Sequence, residues 1–224
     1  LALLLLGLLA LVLPNLGAAP LERAEIYYLD AARGMVETGD WIVPRYQGEP
    51  FFDKPPLAYW LMGAAFLGFG VEAGAARLVP ALAALGTVLA TAWLGVLLFG
   101  RRTALAGALV LSTTLAFLTF ARVAMSDMPL TFLTTLSVAL GVRAYQPRPA
   151  PWTVPALGAA LGLGFATTGA FALVVPGLAF LLLLFANRRR PLPASWGAVA
   201  AVLVAFVVLL VAAIAGLIVG LLQR

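Results

Sequence analysis

Two short stretches of this sequence carry residues that could do chemistry beside a membrane. The first reads Asp53-Lys54-Pro55-Pro56, in which two prolines fix an extended turn and hold the acid and the lysine rigidly. A lysine placed there can neutralise a phosphate, and Asp53 could bind a divalent cation through oxygen. The same residues are also compatible with an ordinary turn before a helix, with a solvated ion pair.

The second stretch covers residues 122–129 and places Asp127 between two apolar segments. A carboxylate next to lipid is costly unless it is paired or hydrated, and Arg122 is a candidate partner. Alternatively, Ser126 and Asp127 cap the following helix, with Pro129 in its first turn. Capping and catalysis do not exclude each other, so both interpretations stay open.

The elements that must position these residues are strongly apolar. The chain has 224 residues, of which 63% are hydrophobic and 10% are charged, whereas soluble domains average about 25% charged residues. So few charges cannot cover a water-facing surface, and the composition therefore predicts an integral membrane protein. The chain has no Cys and no His, which excludes disulfides and histidine-based catalysis.

Seven apolar stretches are candidate transmembrane helices, because a span needs roughly 20 apolar residues. The basic clusters at residues 101–102, 143–148 and 188–190 all face the cytoplasm only if residues 56–70 form an interfacial helix. All nine acidic residues then lie outside the cytoplasm. The basic clusters indicate topology and lipid contacts, not nucleic-acid binding. The predicted spans are residues 1–17, 78–99, 103–121, 128–144, 152–168, 171–186 and 198–222.

The predicted fold class is therefore all-α integral membrane, with about seven transmembrane helices and interfacial helices in an extracytoplasmic loop of residues 18–77. Within that loop, residues 21–38 predict an amphipathic helix resting on the membrane, with Pro20 at its start and Gly39 at its end. Glu25 and Tyr28 share a face of this helix. Glu25 is expected at the boundary between the apolar and hydrated sides, where it could meet a lipid head group.

The segment Arg33 to Leu61, RGMVETGDWIVPRYQGEPFFDKPPLAYWL, resembles the first outer loop of bacterial membrane glycosyltransferases related to lipid A aminoarabinose transferase and the protein O-mannosyltransferases. The stretches FGVEAGAARLVPAL, LFGRR, ARVAMSDMPLTF and GLGFATTGAFALVVPGL follow where that family has similar text. The resemblance covers nearly the whole chain. It identifies residues 1–224 as a single transmembrane domain that corresponds to the N-terminal portion of longer family members.

The resemblance implies a GT-C fold in the bacterial inner membrane, with the active site facing outward. The family transfers a sugar from a polyprenyl-phosphate donor to an acceptor, which is a lipid or a protein. A carboxylate acts as general base on the acceptor hydroxyl, and cations stabilise the departing phosphate. No nucleotide is needed, and some members use a divalent metal ion. The predicted site residues are Glu25 and Asp127 for catalysis, Lys54, Arg122, Tyr27 and Tyr28 for the donor phosphate, and Asp53 for the metal.

The sequence departs from the family at three positions. The usual catalytic Asp falls at Ala24, an Arg of some members at Tyr27, and a family lysine at Thr168. Glu25 could take over as base, or Glu22 one helical turn earlier. A relative that binds polyprenyl phosphate or glycolipid without transferring sugar is a second hypothesis. A small transporter or assembly subunit is a third, although no predicted span carries the mid-membrane acid or base that ion-coupled transporters usually need.

Overall fold

The computed structural model describes residues 1–186, and this part of the chain is almost entirely helical. One two-stranded antiparallel hairpin interrupts the helices, with Arg45 opposite Pro50 and Tyr46 opposite Glu49. The elements in chain order are α1 (Ala2–Val12), α2 (Arg23–Thr38), β1 (Arg45–Tyr46), β2 (Glu49–Pro50), α3 (Leu57–Phe69), α4 (Ala73–Phe99), α5 (Arg101–Thr113), α6 (Leu115–Phe120), α7 (Asp127–Ala144), α8 (Thr153–Thr168) and α9 (Phe171–Ala186).

The long helix α4 is the centre of the bundle. It packs most extensively along α7 and α5, while α7 also packs against α8 and α9. Small residues allow the close approaches: a Cβ added at Gly95 would lie 2.8 Å from the Cα of Ala104 in α5. A Cβ at Gly86 would lie 2.7 Å from the Phe132 ring in α7. Small residues at helix contacts are typical of membrane bundles.

Most predicted spans coincide with observed helices, and α9 has the predicted bounds. By length and hydropathy, α4 is the one helix among residues 1–186 that could cross a membrane, and α1, α3, α8 and α9 are shorter apolar helices. The predicted count of seven spans therefore stays a prediction. Its seventh span, residues 198–222, and the basic cluster 188–190 lie outside the described residues.

The predicted span over residues 103–121 is not one continuous helix. It breaks at Thr114, which is extended (φ −69°, ψ 125°), so that α5 ends and α6 begins there. The hydroxyls of Thr113 and Thr114 donate to carbonyls of Leu109 and Val110. Hydroxyl bonds of this kind satisfy carbonyls at a helix end and compete with the helical ladder. The sequence Ser112-Thr113-Thr114 within an apolar run could have indicated this break in the helix.

The segment between α1 and α4 folds onto the bundle as a small layer of two helices and the hairpin. Helix α2 ends at Gly39, which adopts the left-handed conformation (φ 72°), as the sequence predicts. The apolar side of α2 packs on α3 and on the start of α4, which makes it a protein contact where the sequence predicted a membrane contact. The buried residues of this layer are Tyr28, Ala31, Ala32, Met35, Ala58, Tyr59, Met62, Phe66, Ala75, Ala76 and Ala124.

Candidate functional site

A buried carboxylate lies at the centre of this layer. Glu25, in the first turn of α2, is 0% exposed. Its Oε1 accepts hydrogen bonds from Arg77 Nε at 2.8 Å and from the Ala124 amide at 2.7 Å. Its Oε2 accepts from Arg77 Nη2 at 2.7 Å and from the Glu22 amide at 2.9 Å. Each carboxylate oxygen therefore has two donors, which is about its full capacity.

The partner of Glu25 is an arginine near the start of α4. Arg77 is 2% exposed, and besides its two bonds to Glu25 it donates to the carbonyls of Leu16, Ala19 and Pro20 at 2.7, 3.0 and 3.0 Å. A guanidinium has five N–H donors, and all of those of Arg77 are used. The pair therefore joins the start of α2, the start of α4 and the link that follows α1 at one buried point.

These contacts decide the charge state of Glu25. Burial by itself raises the pKa of a carboxyl group, but the bonds from Arg77, Ala124 and Glu22 outweigh it and hold the pKa of Glu25 below its usual value. A general base needs a free lone pair and a pKa near the working pH. The expectation that Glu25 sits at a hydrated boundary is wrong, because Arg77 provides a partner inside the fold. The geometry favours a structural role for Glu25, and its catalytic role stays a prediction.

One turn further along α2, a tyrosine contacts the loop before α7. Tyr28 Oη and Ser126 Oγ lie 2.9 Å apart in a buried hydrogen bond. Burial raises the pKa of Tyr28, the Ser126 contact lowers it, and the charges of Asp127 and Asp53 raise it again, with a net rise. Both carboxylates are therefore close enough to Tyr28 for their charges to act on it, although they are far apart in the sequence.

A second buried tyrosine links the Asp53-Lys54 stretch to the same place. Tyr59, in α3, is 1% exposed, and its ring centroid lies 5.4 Å from that of Tyr28. Burial and the charges of Tyr28 and Asp53 raise the pKa of Tyr59, while the nearby backbone of Lys54 lowers it. Tyr59 is thus a core residue, although it lies within residues 56–70, which the sequence predicted as an interfacial helix. We call Tyr28 and Tyr59 the tyrosine pair, and both predicted stretches meet at it.

Asp127 is an exposed acid of this region, as is Asp53. It is the first residue of α7, after Ser126 at the N-cap, as predicted, although the Ser126 hydroxyl contacts Tyr28 and does not cap the helix. Asp127 borders a groove of about 320 Å³ between α6 and α7. The groove is mostly apolar and is lined by Ala116, Phe117, Phe120, Asp127, Met128 and Thr131. The carboxylate therefore remains accessible beside apolar walls.

In the described part of the chain, Arg122 and Asp127 form no ion pair. The Arg122 guanidinium instead donates four hydrogen bonds to backbone carbonyls at the end of α1. The acceptors are Leu11 and Val12 at 3.0 Å each, Pro14 at 2.9 Å and Asn15 at 3.3 Å. A phosphate contact by Arg122, as predicted from the sequence, would require it to give up some of these bonds.

Tyr27 has aromatic neighbours other than the tyrosine pair. Its ring packs against Tyr46 and Phe51, with centroids 4.8 Å and 5.9 Å away. Asp30, one turn further along α2, accepts a hydrogen bond from the Gln47 amide in the hairpin turn at 2.8 Å. These contacts fix the hairpin on α2, and the hairpin leads directly into the Asp53-Lys54 turn. Tyr27 thus helps to hold the hairpin that precedes Asp53-Lys54, and its predicted phosphate contact stays a prediction.

Two of the positions that depart from the family, Ala24 and Thr168, and the alternative base Glu22 lie in different surroundings. Glu22 is exposed at the N-cap of α2, and Ala24 is half-buried beside it. Thr168 is the last residue of α8, and its buried Oγ1 has no hydrogen-bond partner among the described residues. Within residues 1–186, no side chain of these three residues forms a hydrogen bond with Tyr28 or Tyr59.

The described residues do not fit a metal ion. Within residues 1–186, no three His, Cys, Asp or Glu side chains come together in a way that could hold one. Asp53 is a single exposed carboxylate there, and one carboxylate does not make a cation site of six or more oxygen ligands.

Two residues of this site were not singled out from the sequence. Arg77 lies at the start of an apolar helix, where a charged residue requires a partner, and Glu25 is a charge on an otherwise apolar helix face. The sequence could have indicated the Glu25–Arg77 pair, because each is a charged residue in an apolar setting that requires a partner. Ser126 was considered only as a helix cap, and nothing local indicates its contact with Tyr28.

Comparison with known proteins places the chain among membrane glycosyltransferases. The profile of the family described as dolichyl-phosphate-mannose-protein mannosyltransferase matches residues 16–219. The undecaprenyl phosphate-alpha-4-amino-4-deoxy-L-arabinose arabinosyl transferase of Edwardsiella ictaluri is 32% identical over 182 residues, which are 80% of this chain and 33% of that protein. An arabinosyl transferase of the same description from Sodalis glossinidius is 33% identical over 221 residues, 90% of this chain and 38% of the relative. The chain thus spans about a third of the length of these relatives.

Solved structures agree with the sequence comparison. The crystal structure of ArnT from Cupriavidus metallidurans bound to undecaprenyl phosphate has a TM-score of 0.77 and 25% identity, over 84% of this chain and 36% of that one. The apo structure of the same protein has a TM-score of 0.80 and 24% identity, over 94% and 39%. These matches confirm the helical membrane fold and the resemblance noted in the sequence. Since the family profile covers most of its length, the chain belongs to the dolichyl-phosphate-mannose-protein mannosyltransferase family of GT-C membrane glycosyltransferases.

Proposed function

We propose that this chain is part of an enzyme that transfers a sugar from a polyprenyl-phosphate donor to an acceptor hydroxyl on the extracytoplasmic face of the bacterial inner membrane. The observation that carries the proposal is the meeting of two sequence-distant stretches at the tyrosine pair. One stretch brings a lysine and the other an accessible carboxylate, and these are the two charges that such a transfer needs. The relatives, which are described as undecaprenyl phosphate-alpha-4-amino-4-deoxy-L-arabinose arabinosyl transferases, support the same reaction class.

In the proposed reaction, the acceptor oxygen attacks the anomeric carbon of the donor while Asp127 takes the hydroxyl proton. The bond from that carbon to the phosphate oxygen breaks, and the polyprenyl phosphate leaves with the bonding electrons. A positioned base and a fixed cation each lower the barrier of such a step. We assign the base to Asp127 because its carboxylate is exposed, whereas all four acceptor positions of Glu25 are occupied.

Lys54 is the proposed cation for the departing phosphate. Its backbone lies near the Tyr59 hydroxyl, while Lys54 itself is exposed and forms no ion pair within residues 1–186. An ammonium held by a rigid backbone binds phosphate as a point charge. The apolar groove beside Asp127 is consistent with a substrate that carries a lipid chain, since the walls of the groove are mostly hydrocarbon.

The role of Lys54 is tested by binding of undecaprenyl phosphate to the full-length protein in lipid nanodiscs. We expect Lys54→Ala to raise the Kd about 10- to 100-fold, because a charge-assisted hydrogen bond contributes about 1.5–3 kcal/mol. Lys54→Arg should retain most of the affinity. Arg45→Ala removes an equal charge from the hairpin of the same loop and is the matched control. Equal affinities for Lys54→Ala and the unmutated protein would contradict the assignment.

The role of Asp127 is tested by sugar transfer from a labelled polyprenyl-phosphate donor. We expect Asp127→Asn to lower turnover by about 10²–10⁴-fold while donor binding is unchanged, which is the usual contribution of a general base. Glu49→Gln, at an exposed acid of the hairpin, should have full turnover. Full turnover in Asp127→Asn would remove Asp127 as the base and return attention to Glu22.

A second candidate function is favoured by Ala24, which stands where the family's usual acid would be. In that case the protein binds polyprenyl phosphate or glycolipid and does not transfer the sugar. Donor binding without any transfer by the full-length protein would support this function over the first.

A further inference from the structure

The outer end of α1 is held by an arginine from a distant part of the chain. The last carbonyls of a helix have no intrahelical donors, and they form the negative end of the helix dipole. In α1, which ends at Val12, no basic residue lies in the last turn. Arg122, which lies in the loop before α7, has the role of that basic residue. Four of its five N–H donors are bonded to carbonyls of residues 11–15.

Carbonyl dipoles, and not a carboxylate, balance the Arg122 charge in the described structure. The segment of residues 11–20 contains no acid, and the two ion pairs among residues 1–186 are Arg33–Glu37 and Arg77–Glu25. Arg122 is half-buried. Its hydrogen bonds are therefore the contacts that fix the guanidinium, and through it the backbone of the loop.

The loop of residues 121–126 is fixed at two further points. The Ala124 amide donates to Glu25 at 2.7 Å, and Ser126 contacts Tyr28 at 2.9 Å. Ala124 is completely buried between these contacts. Asp127 follows the loop directly as the first residue of α7. The position of its carboxylate is therefore determined by a loop that α1 and α2 hold together.

We propose that Arg122 is a positioning residue for Asp127, and that it acts through the α1 carbonyls and the loop without contacting the substrate. The inference rests on the proposed function, because it takes Asp127 as the reacting group. A displacement of about 1 Å at a reacting group can cost about 100-fold in rate. Releasing the loop from α1 is therefore expected to lower turnover far more than donor affinity.

The test compares Arg122→Gln, Arg122→Lys and the control Arg45→Gln in the full-length protein. We expect Arg122→Gln to lower kcat about 10- to 100-fold, with the Kd for undecaprenyl phosphate within about twofold of the unmutated value. Lysine can return to some of the carbonyls, so Arg122→Lys should recover part of kcat. A raised Kd for undecaprenyl phosphate in Arg122→Gln, with kcat unchanged at saturating donor, would overturn the proposal in favour of a phosphate contact.

A second readout does not depend on turnover. Ser126 is 2% exposed, and the 224-residue sequence has no cysteine, so Ser126→Cys introduces the one thiol of this sequence. We expect a water-soluble maleimide to label this thiol at least tenfold faster when Arg122→Gln is added, and at the original rate when Arg45→Gln is added. Equal rates in all three proteins would overturn the proposal. If the unmutated protein transfers no sugar, the proposed function fails, while the labelling rates still decide whether Arg122 holds the loop.

Discussion

The buried Glu25–Arg77 pair offers the sharpest test of how this site is built. Arg77→Gln leaves the Glu25 carboxylate buried with only two amide donors, and it removes the donors of three carbonyls. Glu25→Gln leaves the guanidinium buried without a counter-charge. Removing one partner of a buried ion pair typically costs about 3–5 kcal/mol of unfolding free energy. We expect each single variant to be destabilised by about that amount.

The double variant Glu25→Gln/Arg77→Gln removes both charges and leaves no buried charge unpaired. Residues in one hydrogen-bond network show interaction free energies of about 0.5–3 kcal/mol. We therefore expect the double variant to cost less than the sum of the two single variants by about 1–3 kcal/mol. Glu37→Gln is the control, because Glu37 forms an exposed pair with Arg33 on the same helix. Exposed pairs contribute little, so this control should unfold like the unmutated protein.

The assay is unfolding of the full-length protein in detergent, followed by tryptophan fluorescence, with donor binding and turnover measured on the same samples. If Glu25 is structural, Glu25→Gln and Arg77→Gln should lose stability together, and their activities should fall together. If Glu25 is instead the base, Glu25→Gln should lose about 10²–10⁴-fold in turnover with little loss of stability, while Arg77→Gln behaves differently. Strictly additive costs in the double variant would refute the reasoning about the pair.

Three further predictions use other contacts. The pKa of Glu25 in the folded protein is lowered from 4.5, so the stability that the ionised carboxylate contributes should be full above about pH 4.5 and lost as the pH falls through the folded pKa. Unfolding temperatures measured from pH 7 to pH 3 should therefore fall less in Glu25→Gln than in the unmutated protein. Gly95→Ala should lower stability by about 1–3 kcal/mol, since the new methyl group would meet Ala104 at 2.8 Å, whereas Gly107→Ala has open space and should not, as thermal unfolding would show. Tyr28→Phe should cost about 1–3 kcal/mol in the same assay, because it leaves the buried Ser126 hydroxyl without its partner.

Local sequence determined much of the fold. The apolar runs predict most of the helices, and α9 has the predicted bounds, because hydrophobicity and length need no knowledge of the partner. Gly39 predicts the end of α2, since a left-handed residue strongly favours glycine. The motif at Asp53-Lys54 and the one at Asp127 predict the family, and the comparisons confirm that membership. These signals are carried by neighbouring residues, and a single sequence is enough to read them.

Tertiary structure alone decided what the charged residues do. Glu25 was expected at a hydrated boundary and Arg122 beside Asp127 or a phosphate, yet Glu25 is buried against Arg77, and Arg122 binds the end of α1. Their partners are 52 and more than 100 positions away along the chain. No helical or strand period relates such positions, because only the packing of α1, α2, α4 and α7 brings them together. A carboxylate and a guanidinium have the same chemistry in a site and in a core, and the number of donors and acceptors around each one separates the two roles.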